Sequence, residues 1–312
     1  MSKIMIAPPQ CFSPSAIHDR WILLRDFLEK ELGFVYVESA IDRANKNLYA
    51  LQPLDDAEIV FLLITPRLVN SSGLLDSMHL SKRTKLISYI FDTHHNNEYF
   101  RKVLERSDVI LSWTGENFRK AWPQFIDKFV HFPIYFSPDE RFTKFTLNEK
   151  PVMRCLLAGA VSGIYPLRKY LLEDAINENK GAIDVLPHPG TFGASKEYAV
   201  TRDAFAEKLH SYFCGVTSSV CTAVIAKATE IPATGSLLLM DRTKDSDAMG
   251  FVPFEHYIPI TQGNAIDRIT ECLANPEKYK EVRLNGMRLV RSKHGSNTRM
   301  EMLRKVIIGE GI

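Results

Sequence analysis

Short apolar runs alternate with amphipathic stretches along the whole chain. The runs at residues 4–7, 34–37, 59–64, 86–91, 109–113 and 129–134 are rich in Val, Ile and Phe, which predicts buried strands. Between them lie helical patterns. The clearest sets Ile17, Trp21, Leu24, Leu28 and Leu32 at steps of three or four, so that they share one face. Continuous apolar strands separated by helices predict a parallel sheet covered on both sides.

Residues 135–151 break the pattern: they are polar, aperiodic and hold a Pro near each end, which predicts a linker. The alternation then restarts. Strands are expected at 152–160, 183–186, 212–216 and 236–240, with helices at 166–177, 199–209 and 222–229. Three more helices, at 264–273, 276–291 and 297–308, complete the prediction, with Asn275-Pro276-Glu277 and Asn297-Thr298 as helix starts. The organisation read from this is an α/β chain of two Rossmann-like domains, residues 1–136 and 152–312, joined by a linker at 137–151. Two such domains in succession are expected to face each other across a cleft between the carboxyl ends of their sheets, where open α/β folds bind ligands.

Length agrees, because 312 residues exceed one ordinary core. Apolar residues make up 45% and charged residues 24%, values of a water-exposed globular chain, and no apolar run reaches the roughly 20 residues of a membrane span. The opening Met-Ser-Lys-Ile-Met-Ile-Ala-Pro-Pro is interrupted too early for a signal peptide, so a cytoplasmic location is expected. Five scattered cysteines (Cys11, Cys155, Cys214, Cys221 and Cys272) show neither zinc spacing nor an even pairing count, and read as small buried hydrophobes. Net charge is +2, which disfavours a dedicated nucleic-acid binder without excluding a local basic track. His79, Lys82, Arg83 and Lys85 form a basic cluster, read as either a solvated helix end or an anion contact.

No G-x-S-x-G elbow, Walker A loop or G-x-G-x-x-G fingerprint is present. Three other patterns carry chemistry. One is Gly159-Ala-Val-Ser-Gly163-Ile-Tyr165-Pro166-Leu-Arg168, directly after a strand. A second is Lys227-Ala-Thr-Glu230-Ile-Pro-Ala233-Thr-Gly235, running into an apolar strand. The third is a late helical pair with Asn275-Pro276-Glu277, His294 and Arg299. Together they resemble the CgeB-like branch of glycosyltransferases with the two-Rossmann-domain (GT-B) fold, over about the second half of the chain.

The resemblance implies a metal-independent transferase that moves a sugar from a nucleotide-sugar, with a UDP-sugar the expected donor, to a hydroxyl acceptor. That acceptor would be a glycan, a protein or a modified DNA base, the last not favoured by charge. No cofactor or metal is expected. Glu230 would accept hydrogen bonds from the ribose hydroxyls. Gly163 would allow close backbone approach, and Arg168 would offer a planar fork to the diphosphate unless it is a plain exposed helix residue. Ser218, Ser219 and Thr222 would cap the helix carrying Glu230 and could meet phosphate. Lys227 would share the leaving-group charge, Gly235 would make the turn into the strand, and His188, in Pro187-His188-Pro189-Gly190, would border the nucleobase. Many retaining members of the superfamily hold a second carboxylate seven residues before this Glu; here that position is Ala223, so the sugar contact is missing or comes from elsewhere.

The first half is weaker in motifs. Asp92 and His94, where an apolar strand meets Tyr89-Ile-Phe-Asp92-Thr-His94-His95, are the candidates for a general base taking the acceptor proton. Asp245-Ser246-Asp247 matches a metal-diphosphate pattern but is read as a solvated loop. Two other readings remain open: a catalytically silent nucleotide- or sugar-binding module, and a two-domain epimerase working without an acceptor.

Overall fold

The computed structural model describes residues 2–7, 19–42, 47–50, 54, 56–64, 75, 78–91, 93, 100–133, 137–161, 163–177, 182–188 and 202–310. The chain divides into two compact units, Met1–Tyr135 with Met302–Ile312, and Phe136–Glu301. The segment read as a linker thus groups with the second unit, and the last residues group with the first.

The first unit is a seven-stranded sheet: β1 (Ser2–Ala7), β2 (Phe34–Asp42), β3 (Asn47–Ala50), β4 (Ala57–Ile64), β5 (Lys85–Ile90), β6 (Val109–Ser112) and β7 (Phe129–His131). Their order is β3-β2-β1-β4-β5-β6-β7. Every pair is parallel except β2 with β3. The short, half-polar β3 has no apolar run to announce it. Residues Val60, Phe61, Leu62 and Leu63 of β4 are fully buried, as a central strand covered on both faces must be. Helix α1 (Asp19–Leu32) buries Trp21, Leu24, Leu28 and Leu32, the predicted stripe; Ile17 lies outside the described residues. Helices α2 (Arg101–Arg106) and α3 (Gly115–Ala121) follow β5 and β6.

The second unit begins with a helical turn, α4 (Glu140–Thr143), started by Asp139, whose carboxylate accepts from the Arg141 N–H. Its sheet is β8 (Val152–Ala158), β9 (Ile183–Leu186), β10 (Tyr212–Val216), β11 (Leu237–Met240) and β12 (Ile258–Pro259), all parallel, in the order β12-β11-β10-β8-β9. Alternation shows in the packing. Leu156 and Ala158 of β8 join Leu238 and Met240 of β11 in one core, while Cys155 and Leu157 join Leu237 and Leu239 on the other face. The order reverses between β8 and β10, and the loops leaving these strands diverge there.

The helices of this unit are α5 (Pro166–Asn177), α6 (Arg202–Ser211), α7 (Lys227–Ala233), α8 (Lys244–Ala248), α9 (Ala265–Ala274) and α10 (Lys280–Leu289), and a last helix, α11 (Ser296–Ile308), begins in this unit and passes into the first at Met302. A π-turn, Val290–His294, joins the last two. Two expectations are corrected here. The helix expected at 222–229 begins only at Lys227, because Val220 to Ala223 form a tight turn closed by two backbone hydrogen bonds, of 3.0 and 2.9 Å. Nor is Asp245-Ser246-Asp247 a solvated loop. Thr243 and Ser246 cap each other reciprocally to start α8, and Asp245 is buried.

Candidate functional site

The second sheet's switch point brings the candidate residues together. β8 is followed by Gly159, whose φ of +108° suits glycine and few others. A side chain there would collide with the Arg168 guanidinium and come within 3.8 Å of Lys227 Cε. Pro166, well suited to a first helical position, starts α5 and puts Arg168 in its opening turn. The Arg168 guanidinium lies 3.6 Å from the centre of the Tyr165 ring and only 1% of the residue is exposed. Its Nε and Nη2 are buried with no hydrogen-bond partner among the described residues. Burial lowers its pKa, partly opposed by Tyr165 and by the charge of Asp241. The reading of Arg168 as an exposed helix residue is overturned.

Across the switch point, Lys227 Nζ donates to Glu230 Oε2 at 2.6 Å, one turn along α7. Glu230 is buried, and Lys227 also stands 4.4 Å from the Phe205 ring centre. Helix α7 is short and contains Pro232, so its carbonyls need other partners. Two arginines supply them. Arg291 donates through Nε and Nη2 to the Ala233 carbonyl at 3.1 and 2.7 Å, and Arg283 Nε donates to the Gly235 carbonyl at 2.9 Å. Gly235 itself turns the chain into β11 with φ +84°, and a Cβ on it would lie 3.4 Å from Met287 Sδ. Helix α10 reaches this place because Gly286 lacks a side chain: a Cβ would sit 2.5 Å from the His256 carbonyl oxygen. The glutamate is therefore held by a scaffold clamped at its far end.

The loop after β10 makes the other wall. Ser218 is buried and its Oγ has no hydrogen-bond partner among the described residues, as is true of Thr217 Oγ1. Ser219 donates to Asp241 through its backbone N–H at 2.7 Å and through its Oγ. Cys221 and Thr222 have φ of 45° and 73°, rare for residues with a side chain. These residues do not cap the Glu230 helix, which starts at Lys227 after Ala226. Instead Ser218, Ser219, Thr222 and Asp241, with Pro166, Leu167, Ile260, Thr261 and Gln262, line an open pocket of about 390 Å³.

His188, just past β9, is exposed overall. Even so, desolvation of its ring and then the charges of Lys227 and Arg168 hold its pKa below the ordinary 6.5. Gly163 is exposed, and a Cβ added there would meet nothing within 4 Å, so the close approach in this loop is made at Gly159. Asp92 and His94 lie outside the described residues. His294 and Arg299 form an internal latch: Arg299 Nη2 donates to His294 Nδ1 at 2.6 Å, and His294 Nε2 donates to the Met249 carbonyl at 2.8 Å. Among the described residues no three His, Cys, Asp or Glu side chains gather as a metal site, and no helix is long and apolar enough to cross a membrane.

Sequence reasoning gave no role of their own to Gly159, Thr217 or Asp241. Each directly follows a strand at the sheet's carboxyl edge, and that position was the available signal. Chemically the assembly brings together two cations, Arg168 and Lys227, the Thr217 and Ser218 hydroxyls, which have no partner among the described residues, and a buried carboxylate, Glu230, paired with Lys227.

No family model matches the chain, and no curated protein sequence matches it. Solved structures do. An alpha-glucosyltransferase in complex with UDP-glucose and DNA containing an abasic site is 12% identical, covering 98% of this chain and 98% of its own, with a TM-score of 0.63. Sucrose-phosphate synthase from Thermosynechococcus elongatus is 9% identical, with 99% of each chain covered and a TM-score of 0.66. HepE of Anabaena, in complex with UDP and glucose, is 9% identical over 99% of this chain and 100% of its own, with a TM-score of 0.59. With two α/β sheets in succession, parallel but for the edge strand β3, the chain has the fold of the GT-B glycosyltransferases.

Proposed function

We propose that this protein is a glycosyltransferase that moves a sugar from a UDP-sugar to a hydroxyl acceptor, in the CgeB-like branch on the strength of its three motifs. The observation that carries the reading is Arg168. A buried guanidinium with two nitrogens unpartnered among the described residues is costly to keep unless a ligand completes it. It stands at the switch point near Lys227, where a diphosphate would supply the missing acceptors. In the free protein Lys227 neutralises Glu230. A diphosphate competing for Lys227 would release the carboxylate to accept ribose hydroxyls, so donor entry exchanges one ion pair for another. Two cations can stabilise the departing nucleotide without a metal ion. Asp92 and His94 remain the proposed general bases, on the sequence argument alone.

The similar structures that bind UDP, UDP-glucose or DNA support the donor class more evenly than the acceptor class. Lys82, Arg83 and Lys85 precede or open β5, at the amino edge of the first sheet, and Lys85 donates to the carbonyls of Val306 and Ile307. Arg101 and Lys102 open α2, beyond the opposite end of β5, so these five cations do not form one groove. A glycan or other uncharged hydroxyl acceptor fits this distribution better than a nucleic acid.

Thermal unfolding with UDP-, GDP-, ADP- and TDP-sugars tests the donor assignment. A ligand at 100 times its Kd should stabilise the wild type by about 2.7 kcal/mol, and Glu230→Ala should abolish the effect. No stabilisation by any nucleotide sinks the reading. Released UDP in the presence of acceptors separates an enzyme from a silent binder, and donor interconversion without acceptor would identify an epimerase.

A further inference from the structure

The pocket beside Arg168 differs in chemistry from the cation site it adjoins. Its polar lining is Ser218, Ser219, Thr222, Thr261, Gln262 and Asp241, and Asp241 is the one carboxylate among the pocket's lining residues. With Pro166, Leu167, Cys221 and Ile260 making up the rest, the wall suits an uncharged polyol: apolar surface for its carbon faces, a few hydroxyl and amide partners, and a single strong acceptor. Ala223, by contrast, is fully buried in the tight turn and presents only a methyl group.

We propose that Asp241 accepts the hydroxyl hydrogen bonds of the transferred sugar and so sets which sugar the protein takes. This rests on the nucleotide-sugar reading above and assigns a further residue to that site. The geometry favours a direct contact. One carboxylate oxygen accepts the Ser219 N–H at 2.7 Å, and the other accepts the Ser219 hydroxyl. An ionised carboxylate has about four acceptor positions, so about two remain for ligand hydroxyls. The two bonds from Ser219 also fix the plane of the carboxylate before a ligand arrives, which lowers the ordering cost of binding. Asp241 directly follows β11, a fully buried strand, so its backbone position is rigid.

Calorimetric titration with UDP and with UDP-glucose, UDP-galactose and UDP-N-acetylglucosamine tests this, using wild type, Asp241→Asn, Ser219→Ala and Glu230→Ala. Asp241→Asn should leave the Kd for UDP within about twofold and weaken the best UDP-sugar about tenfold or more, the usual loss for a charged hydrogen-bond acceptor. Ser219→Ala keeps the carboxylate and should change the UDP-sugar to UDP ratio far less. Equal weakening of UDP and UDP-sugar by Asp241→Asn would overturn the proposal, because Asp241 would then act only through Arg168 or the loop. An unchanged UDP-sugar affinity would overturn it too. If Glu230→Ala weakens UDP while Asp241→Asn has no selective effect, the donor reading survives and the sugar assignment falls. If wild type binds none of these nucleotides, both fall together.

Discussion

Arg168 concentrates the conflict between stability and binding. Burying a guanidinium with unsatisfied nitrogens costs several kcal/mol, and its stacking on Tyr165 recovers about 1–2 kcal/mol. Arg168→Met should therefore leave the melting temperature unchanged or raise it by about 2–4 °C, while removing stabilisation by nucleotide-sugars. Calorimetry with and without ligand reads both effects, and a large loss of stability in the free variant would contradict the account. His188 adds a dependence on pH. Its folded pKa lies below its unfolded value of about 6.5, so the unfolded chain takes up the proton first as pH falls. Stability from this group is thus intact above about pH 6.5 and declines as pH drops toward the folded value. His188→Gln should flatten that part of the urea-midpoint profile between about pH 7.5 and 5, with no change above about pH 7.5. Neither property could be read from one sequence, because both depend on what surrounds the side chain: Arg168 is polar and sits in a helical pattern, which on pattern alone belongs outside.

At the scale of elements, the turn at Cys221 and Thr222 is the strained piece. Two consecutive residues with positive φ make a hairpin-type turn that Asn-Gly would adopt freely, and a β-branched Thr there costs about 1–3 kcal/mol. Thr222→Gly should relieve more than the entropy it adds to the unfolded chain, for a net gain of about 0.5–1 kcal/mol. The same change should weaken donor binding, since the turn shapes the pocket wall. A thermal melt paired with a UDP-sugar titration checks the two signs, and a loss of stability would refute the strain. The same turn explains why the sequence misplaced a helix. Thr222 followed by an apolar, helix-compatible run reads as a cap, whereas the chain bends once more before Lys227. Elsewhere the periodicities were sound: α5, β9 and β10 have the expected bounds, and the α1 stripe is buried. β3 was missed for want of an apolar run, and α8 because its cap pairs Thr243 with Ser246 rather than with the usual Glu or Gln. Within the site, Glu230, Lys227 and Arg168 were legible as a motif; Asp241 and Gly159 needed the sheet order to give their positions meaning.

At the scale of the molecule, the first unit is completed by the end of the chain. Leu303, Val306 and Ile307 are buried, Lys85 donates to the carbonyls of Val306 and Ile307, and the Arg304 guanidinium stands 5.4 Å from the centre of the Phe27 ring. Three such apolar side chains contribute about 1.5–3 kcal/mol each, a sum comparable with the whole stability of a domain. A chain ending at Glu301 should lose the first unit's calorimetric transition while the second keeps its own, including its rise with UDP-sugar. Loss of both transitions would show that the units do not fold separately.

The return of residues 302–312 to the first unit also orders events during translation. Domains generally fold as they leave the ribosome, the earlier one first. Here the earlier one cannot be completed until residues 302–310 have been made, which come after the whole of residues 136–301, so the later-made unit is the first able to finish. For that interval the nascent first unit lacks the buried Leu303, Val306 and Ile307 side chains and the carbonyls to which Lys85 donates, and whatever apolar surface they cover stays open to water.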